Sequence, residues 1–188
     1  MVRTPKQEIT FPQWIATGSF FEYRNNLNIF YRVFRNGSKP WLTALHGFPS
    51  SSRDFLPLIE ELNGNFNLLV FDFLGFGGSD KPKDHTYSMA EQADITEKLL
   101  QFLEIEKTHL LAHDYGACVA QELLARTNET RSTLKIEKVF FLNASMYSRL
   151  HHPLFIQKAL NHPLFGRFVT LLVSEAVYKK NILKVFSK

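Results

Sequence analysis

In the stretch LLAHDYGACVAQELLA (residues 110–125), Asp114 stands between two small residues, Ala112 and Gly116, where an apolar run gives way to a helical one. A nucleophile on a tight strand-to-helix turn needs small neighbours on both sides. A carboxylate there can attack an electrophilic carbon and form an ester. Aspartate is also a favoured N-cap residue, and a strand-to-helix junction is where a cap belongs. The residues alone leave both readings open.

A second candidate is His46-Gly47-Phe48-Pro49. Gly47 permits a tight backbone turn, and Pro49 can follow a cis bond. Such a turn can aim a backbone N–H into a site as an oxyanion donor. It is also compatible with an ordinary strand-to-loop turn. The third stretch, FDFLGFGGSDKP (residues 71–82), carries Gly75, Gly77 and Gly78. Its spacing is neither G-x-x-x-x-G-K-[ST] nor G-x-G-x-x-G, so no phosphate site is expected. A structural turn in which Asp72 and Ser79 hold backbone groups is the better reading.

These stretches need a frame that brings them together. Residues 20–34 are aromatic-rich and interrupted at Asn25-Asn26, which signals a hairpin. Short apolar runs at 41–47, 67–73, 109–114 and 136–145 read as buried strands. Residues 53–63, 88–105 and 115–127 have helical spacing. Ser88 with Glu91 predicts a capping box, and Leu99, Leu100 and Leu103 mark an apolar face. Strands alternating with helices call for a mostly parallel sheet with helices on both faces. Ligands bind at the carboxyl ends of strands in such sheets, and all three stretches fall there.

The chain has 188 residues, 45% of them hydrophobic, with a net charge of +4. That fits a folded domain with a real core and argues against disorder. The cations are scattered apart from Lys179, Lys180, Lys184 and Lys188, so nucleic acid is not an expected partner. A single cysteine, Cys118, rules out an internal disulfide and suits a reducing, cytoplasmic setting. Cys118 itself is read as a buried structural thiol. No signal peptide or membrane span is read from the sequence, and no cofactor or metal motif is present. The N-x-[ST] matches at Asn36, Asn128 and Asn143 are discounted as chance.

Five stretches, TGSFFEYRNNLNIFYR, LHGFPSSSRDF, FDFLGFGGSDKPKDHTYSMAEQADI, LLAHDYGACVAQELLAR and, more weakly, HHPLFIQKAL, resemble the α/β-hydrolase superfamily in the branch of epoxide hydrolases and haloalkane dehalogenases. The resemblance runs from Ile15 through almost the whole chain. It implies that Asp114 is the nucleophile and that the backbone N–H groups of Phe48 and Tyr115 form the oxyanion hole. His46, Gly47 and Pro49 would shape the donor loop, with His113 and Asp72 in structural roles.

The substrate implied is a small hydrophobic epoxide or related electrophile. Dehalogenases of the branch carry a Trp after the nucleophile to hold the halide, where this chain has Tyr115. They often carry a polar residue where this chain has Phe48. Both differences place epoxide hydrolase ahead of dehalogenase.

The resemblance also implies a histidine and an acid beyond a helical cap domain. On this reading residues 1–146 are the N-terminal part of the hydrolase core, and 147–188 begin the cap. The chain is then expected to be an N-terminal fragment, truncated after the sixth strand and the start of the helical cap. Tyr147 and Tyr178 are candidates for the epoxide-polarising tyrosines of the cap. A non-catalytic product that acts by binding, or is inactive, is the alternative. The apolar sixth strand (VFFLN) is expected to lie at an edge.

Overall fold

A computed structural model gives the fold and describes residues 9–144. Six strands form one sheet: β1 (Ser19–Tyr23), β2 (Leu27–Phe34), β3 (Trp41–Leu45), β4 (Asn67–Phe71), β5 (Lys107–His113) and β6 (Lys135–Leu142), in the order β1-β2-β4-β3-β5-β6. The β1–β2 pair is the expected antiparallel hairpin, with Tyr23 opposite Leu27 across a single 3-10 turn. β2 runs antiparallel to β4, and β4, β3, β5 and β6 run parallel. Four helices accompany them: α1 (Phe11–Ala16), α2 (Leu56–Leu62), α3 (Met89–Phe102) and α4 (Tyr115–Asn128). The sheet is mostly parallel, as the resemblance to α/β-hydrolases implies.

Alternation along the central strands sends side chains to two cores. Leu69, Phe71, Leu110 and Ala112 pack with Ile95, Leu99, Val119 and Leu123 beneath α3 and α4. Leu42, Ala44, Leu68, Val70 and Leu111 face the other way, onto Trp14 of α1 and Ile59 of α2. Both faces are buried, which is why these strands read as continuous apolar runs. Each fully buried Leu or Phe contributes about 1.5–3 kcal/mol.

Several element ends differ from the sequence reading, each for a local reason. β3 stops at Leu45 because the chain turns at Gly47, whose carbonyl accepts the Ser50 N–H. β4 stops at Phe71 because the Phe73 N–H leaves the ladder for His46 Nε2. Residues 53–63 are not one helix. A 3-10 turn (Ser52–Phe55) precedes α2, which starts at Leu56 with Pro57 in its first turn, where a missing N–H costs nothing. β5 begins at Lys107, two residues before the expected start, and β6 ends at Leu142 ahead of Asn143 at φ +49°. α3 has Ser88 accepting the Glu91 N–H, but the Glu91 carboxylate goes to His85 Nε2 at 2.7 Å. The predicted reciprocal box is therefore replaced by a half box and a His85–Glu91 hydrogen bond.

One buried cation fastens the two long helices. Arg126 of α4 donates to Glu122 (2.8 Å) on its own helix, and to Asp94 (2.6 Å), Glu97 (2.7 Å) and the Ala90 carbonyl (2.9 Å) on α3. The three carboxylates hold its guanidinium further above its already high ordinary value, against the opposing effect of burial. Among the described residues β6 pairs only with β5, and it leaves Phe140 and Leu142 exposed. Opposite His109 it inserts one extra residue, a bulge at Glu137-Lys138.

Candidate active site

The carboxyl ends of β3, β4 and β5 lie side by side, so the three stretches meet at one edge. β5 ends at His113, and α4 begins at Tyr115 with Asp114 as its N-cap. Asp114 has φ +49° and ψ −111°. An ordinary N-cap sits in the extended region and accepts from the second or third helical N–H. Asp114 does neither: its Oδ1 accepts the first helical N–H, that of Tyr115, at 2.7 Å. A non-glycine residue at such a φ costs about 1–3 kcal/mol and persists only where its surroundings hold it there.

The surroundings do so through absent side chains. A Cβ on Gly116 would fall 2.3 Å from the Leu45 carbonyl oxygen and 2.8 Å from that of His46. A Cβ on Gly47 would fall 2.8 Å from Asp114 Cβ and 2.9 Å from His113 Nδ1. Ala112 is fully buried. The α4 terminus, the β3 end and the loop after it can approach closely because these residues are small.

That approach brings the loop after β3 onto the aspartate. The Phe48 N–H donates to Asp114 Oδ1 at 2.8 Å, so one carboxylate oxygen receives two main-chain donors from two separate elements. The loop is set by the carbonyl of Gly47, which accepts from the Ser50 N–H, the Ser50 hydroxyl and His46 Nδ1. With the Gly47 carbonyl so engaged, the next N–H faces Asp114. The Phe48-Pro49 bond is cis.

His46 has one consistent tautomer. Nδ1 carries the proton, because it faces a carbonyl at 2.8 Å, and Nε2 accepts the Phe73 N–H at 3.0 Å. Burial pushes its pKa below the usual imidazole value, with the Gly47 hydrogen bond opposing. His46 thus joins the β3 loop to the β4 loop as a neutral ring.

The glycine-rich loop after β4 is structural, as its sequence suggested. Buried Asp72 accepts the N–H groups of Ser52 (2.7 Å) and Gly78 (2.6 Å), and the Ser79 hydroxyl donates to the Asp72 carbonyl. The loop's own contribution to the site is Phe76, which the motif reading passed over. Its ring lies 5.3 Å from His46, 6.1 Å from Phe48 and 5.6 Å from Tyr115, between ring centres. Gln92 was also missed: fully buried, it pairs with both backbone groups of Leu74. Burial raises the Tyr115 phenol above its ordinary value, with a hydrogen bond to the Gln92 side chain opposing.

Asp114 is partly exposed, and beside it the Phe48 side chain is 65% exposed, so the site opens onto an apolar mouth. Cys118 lies one turn along α4, half-buried instead of fully buried. Burial raises its thiol pKa, and the Asp114 charge raises it further. His113 is half-buried beside Gly47. His85 is a loop residue paired with Glu91. His109 on β5 has a side chain only 12% exposed, with Nδ1 buried and unpartnered. Tyr147, Tyr178, His151, His152 and His162, and the segment 147–188 with them, lie outside the described residues. No helix among the described residues is long and apolar enough to cross a membrane.

Residues 40–171 match the family model described as the alpha/beta hydrolase fold. The mesoderm-specific transcript homolog proteins of Bos taurus and Homo sapiens are each 39% identical over 189 residues, covering 97% of this chain and 56% of the relative. The chain therefore spans little more than half the length of these relatives. Among solved structures, one from work on epoxide hydrolases of the alpha/beta hydrolases superfamily, found in metagenomes from hot environments, is 26% identical. It superposes with a TM-score of 0.60, covering 78% of this chain and 46% of that one.

Proposed function

We infer that this chain, which belongs to the alpha/beta hydrolase fold family, is the nucleophile-bearing part of an epoxide hydrolase-type enzyme that works through an alkyl-enzyme ester. The observation that carries this reading is the state of Asp114. It is a partly exposed carboxylate at positive φ, with one oxygen held by two main-chain N–H groups and the other left to react. A helix cap has no need of a second donor from another loop.

In this reading Oδ2 attacks an epoxide carbon. The carbon–oxygen bond of the ring breaks, and the ring oxygen leaves as an alkoxide that takes up a proton. Tyr147 and Tyr178 are the proposed donors of that proton. The ester's carbonyl oxygen is then Oδ1, already seated on the Phe48 and Tyr115 N–H groups. When water adds to that carbonyl, the charge that develops on Oδ1 meets donors that are in place. One such donor is worth about 2.7–4 kcal/mol of barrier. His46 cannot activate this water, since both its ring nitrogens are engaged, and His85 is tied to Glu91. We assign the base to a histidine outside residues 9–144. The exposed Phe48 and the Phe76 and Tyr115 rings suit a small hydrophobic substrate.

The reading is tested by reacting the chain with an aryl epoxide and with the matched haloalkane, alongside Asp114→Ala. Covalent capture of the epoxide that is lost in the variant is the expected result. Halide release without epoxide capture would assign a dehalogenase instead. No reaction with either by the folded chain would leave the binding or inactive reading.

A further inference from the structure

We propose that Phe76 is a positioning residue of this site, the shared wedge that holds both main-chain donors on Asp114. Three observations carry it. The two donating residues, Phe48 and Tyr115, belong to different elements, yet both rings pack on the Phe76 ring, at 6.1 Å and 5.6 Å. The third contact is His46, at 5.3 Å and 71°, the residue that fixes the carbonyl preceding the Phe48 N–H. Lastly, Phe76 is itself held from behind.

The fastening of Phe76 is extensive for a loop residue. Its N–H donates to the Phe73 carbonyl, and Gly77 follows at φ +47°. A Cβ at Gly77 would overlap the Asp72 carboxylate, so the loop lies directly on that buried anchor. The Lys81 ammonium collects the carbonyls of Gly77 (2.7 Å), Ser79 (2.8 Å) and Phe76 (3.4 Å). A ring fixed in this way limits where the Phe48 and Tyr115 side chains, and hence their N–H groups, can go. Without it, the Phe48 ring, already largely in solvent, loses the packing that Phe76 gives it.

The catalytic consequence rests on the Asp114 reading above, but the positioning does not. Hydrogen exchange at individual amides of the chain separates them. Phe76→Leu keeps apolar bulk and removes the ring faces, while Phe76→Tyr keeps the ring. The loss of an aromatic pair predicts about tenfold faster exchange at the Phe48 and Tyr115 amides in the leucine variant. Leu69 and Leu110, in the central strands, should exchange as before, and the tyrosine variant should match the parent. Hydrolysis of the captured ester, the step at which the two donors act, should slow by a similar factor in the leucine variant. Unchanged exchange at both amides would overturn the proposal. So would equal acceleration at Leu69 and Leu110, which would make Phe76 a general core residue. If the parent chain captures no epoxide, the Asp114 reading falls while the exchange result still decides the role of Phe76.

Discussion

Gly116→Ala tests whether closeness of α4 to β3 builds the aspartate turn. The added Cβ would sit 2.3 Å from the Leu45 carbonyl oxygen and 2.6 Å from its carbon, where real Cβ atoms essentially never come within 3.0 Å. Helix and strand must part by about 0.7 Å, the difference between 2.3 and 3.0 Å. The neighbours are main-chain atoms of a central strand, so no side chain can swing aside. Overpacking of this kind costs about 1–3 kcal/mol, and the upper end applies. Against it, Gly to Ala inside a helix contributes about 0.5–1 kcal/mol. The net expectation is a loss of about 2 kcal/mol, which lowers the urea midpoint by about 1 M at a slope of about 2 kcal/mol/M. Moving the α4 terminus away also stretches the 2.8 Å bond from Phe48 to Asp114 towards the limit of a hydrogen bond, so hydrolysis of a captured ester should slow with it. Gly64→Ala is the control, since nothing lies within 4 Å of its Cβ position; it should be neutral or slightly stabilising. Parent-like stability in Gly116→Ala would refute the reasoning.

Other predictions concern the fastenings. Burial depresses the His46 pKa in the fold, so the unfolded chain binds a proton first as the pH drops. Stability should be full above the unfolded imidazole value of about 6.5 and lost as the pH falls from there through the depressed folded value, by up to about 1.4 kcal/mol per pH unit. His46→Gln should flatten that dependence in urea titrations between pH 7 and 5. Arg126→Gln leaves Asp94, Glu97 and Glu122 facing one another. Those side chains are 22–32% exposed, so we predict a loss of about 2 kcal/mol, less than the roughly 3–5 of a fully buried pair, measured by thermal or urea unfolding. Asp114→Asn keeps an oxygen for both N–H groups and should cost only about 1 kcal/mol while abolishing epoxide capture. Asp114→Ala, which strands the donors and puts alanine at positive φ, should unfold at clearly lower urea.

Much of this frame is legible in the sequence because the parallel strands are buried on both faces, and such strands read as apolar runs wherever they occur. The Asp114 turn was legible because its geometry needs small residues on both sides, and Ala112 and Gly116 stand at the required spacing. Spacing could not separate nucleophile from cap, since both use the same residue at the same junction. The difference lies in φ and in the Phe48 donor, which sits 66 positions away. Phe76 was hidden for a related reason: among 18 phenylalanines nothing local marks the one whose ring meets three site residues. Nothing local marks Arg126 as a fastening residue, because its partners Asp94 and Glu97 lie on another helix. Glu91 fitted a capping box by spacing, but His85, six residues earlier, competes for its carboxylate.

The most direct measurement is the mass of the chain after incubation with styrene oxide, followed by fragmentation to locate any added group. The account predicts the gain of one epoxide on the folded chain, located at Asp114, and no gain in Asp114→Asn. An unmodified chain that is folded by its unfolding transition, or an adduct located at Cys118 or a histidine instead, would contradict it and return Asp114 to the role of a helix cap.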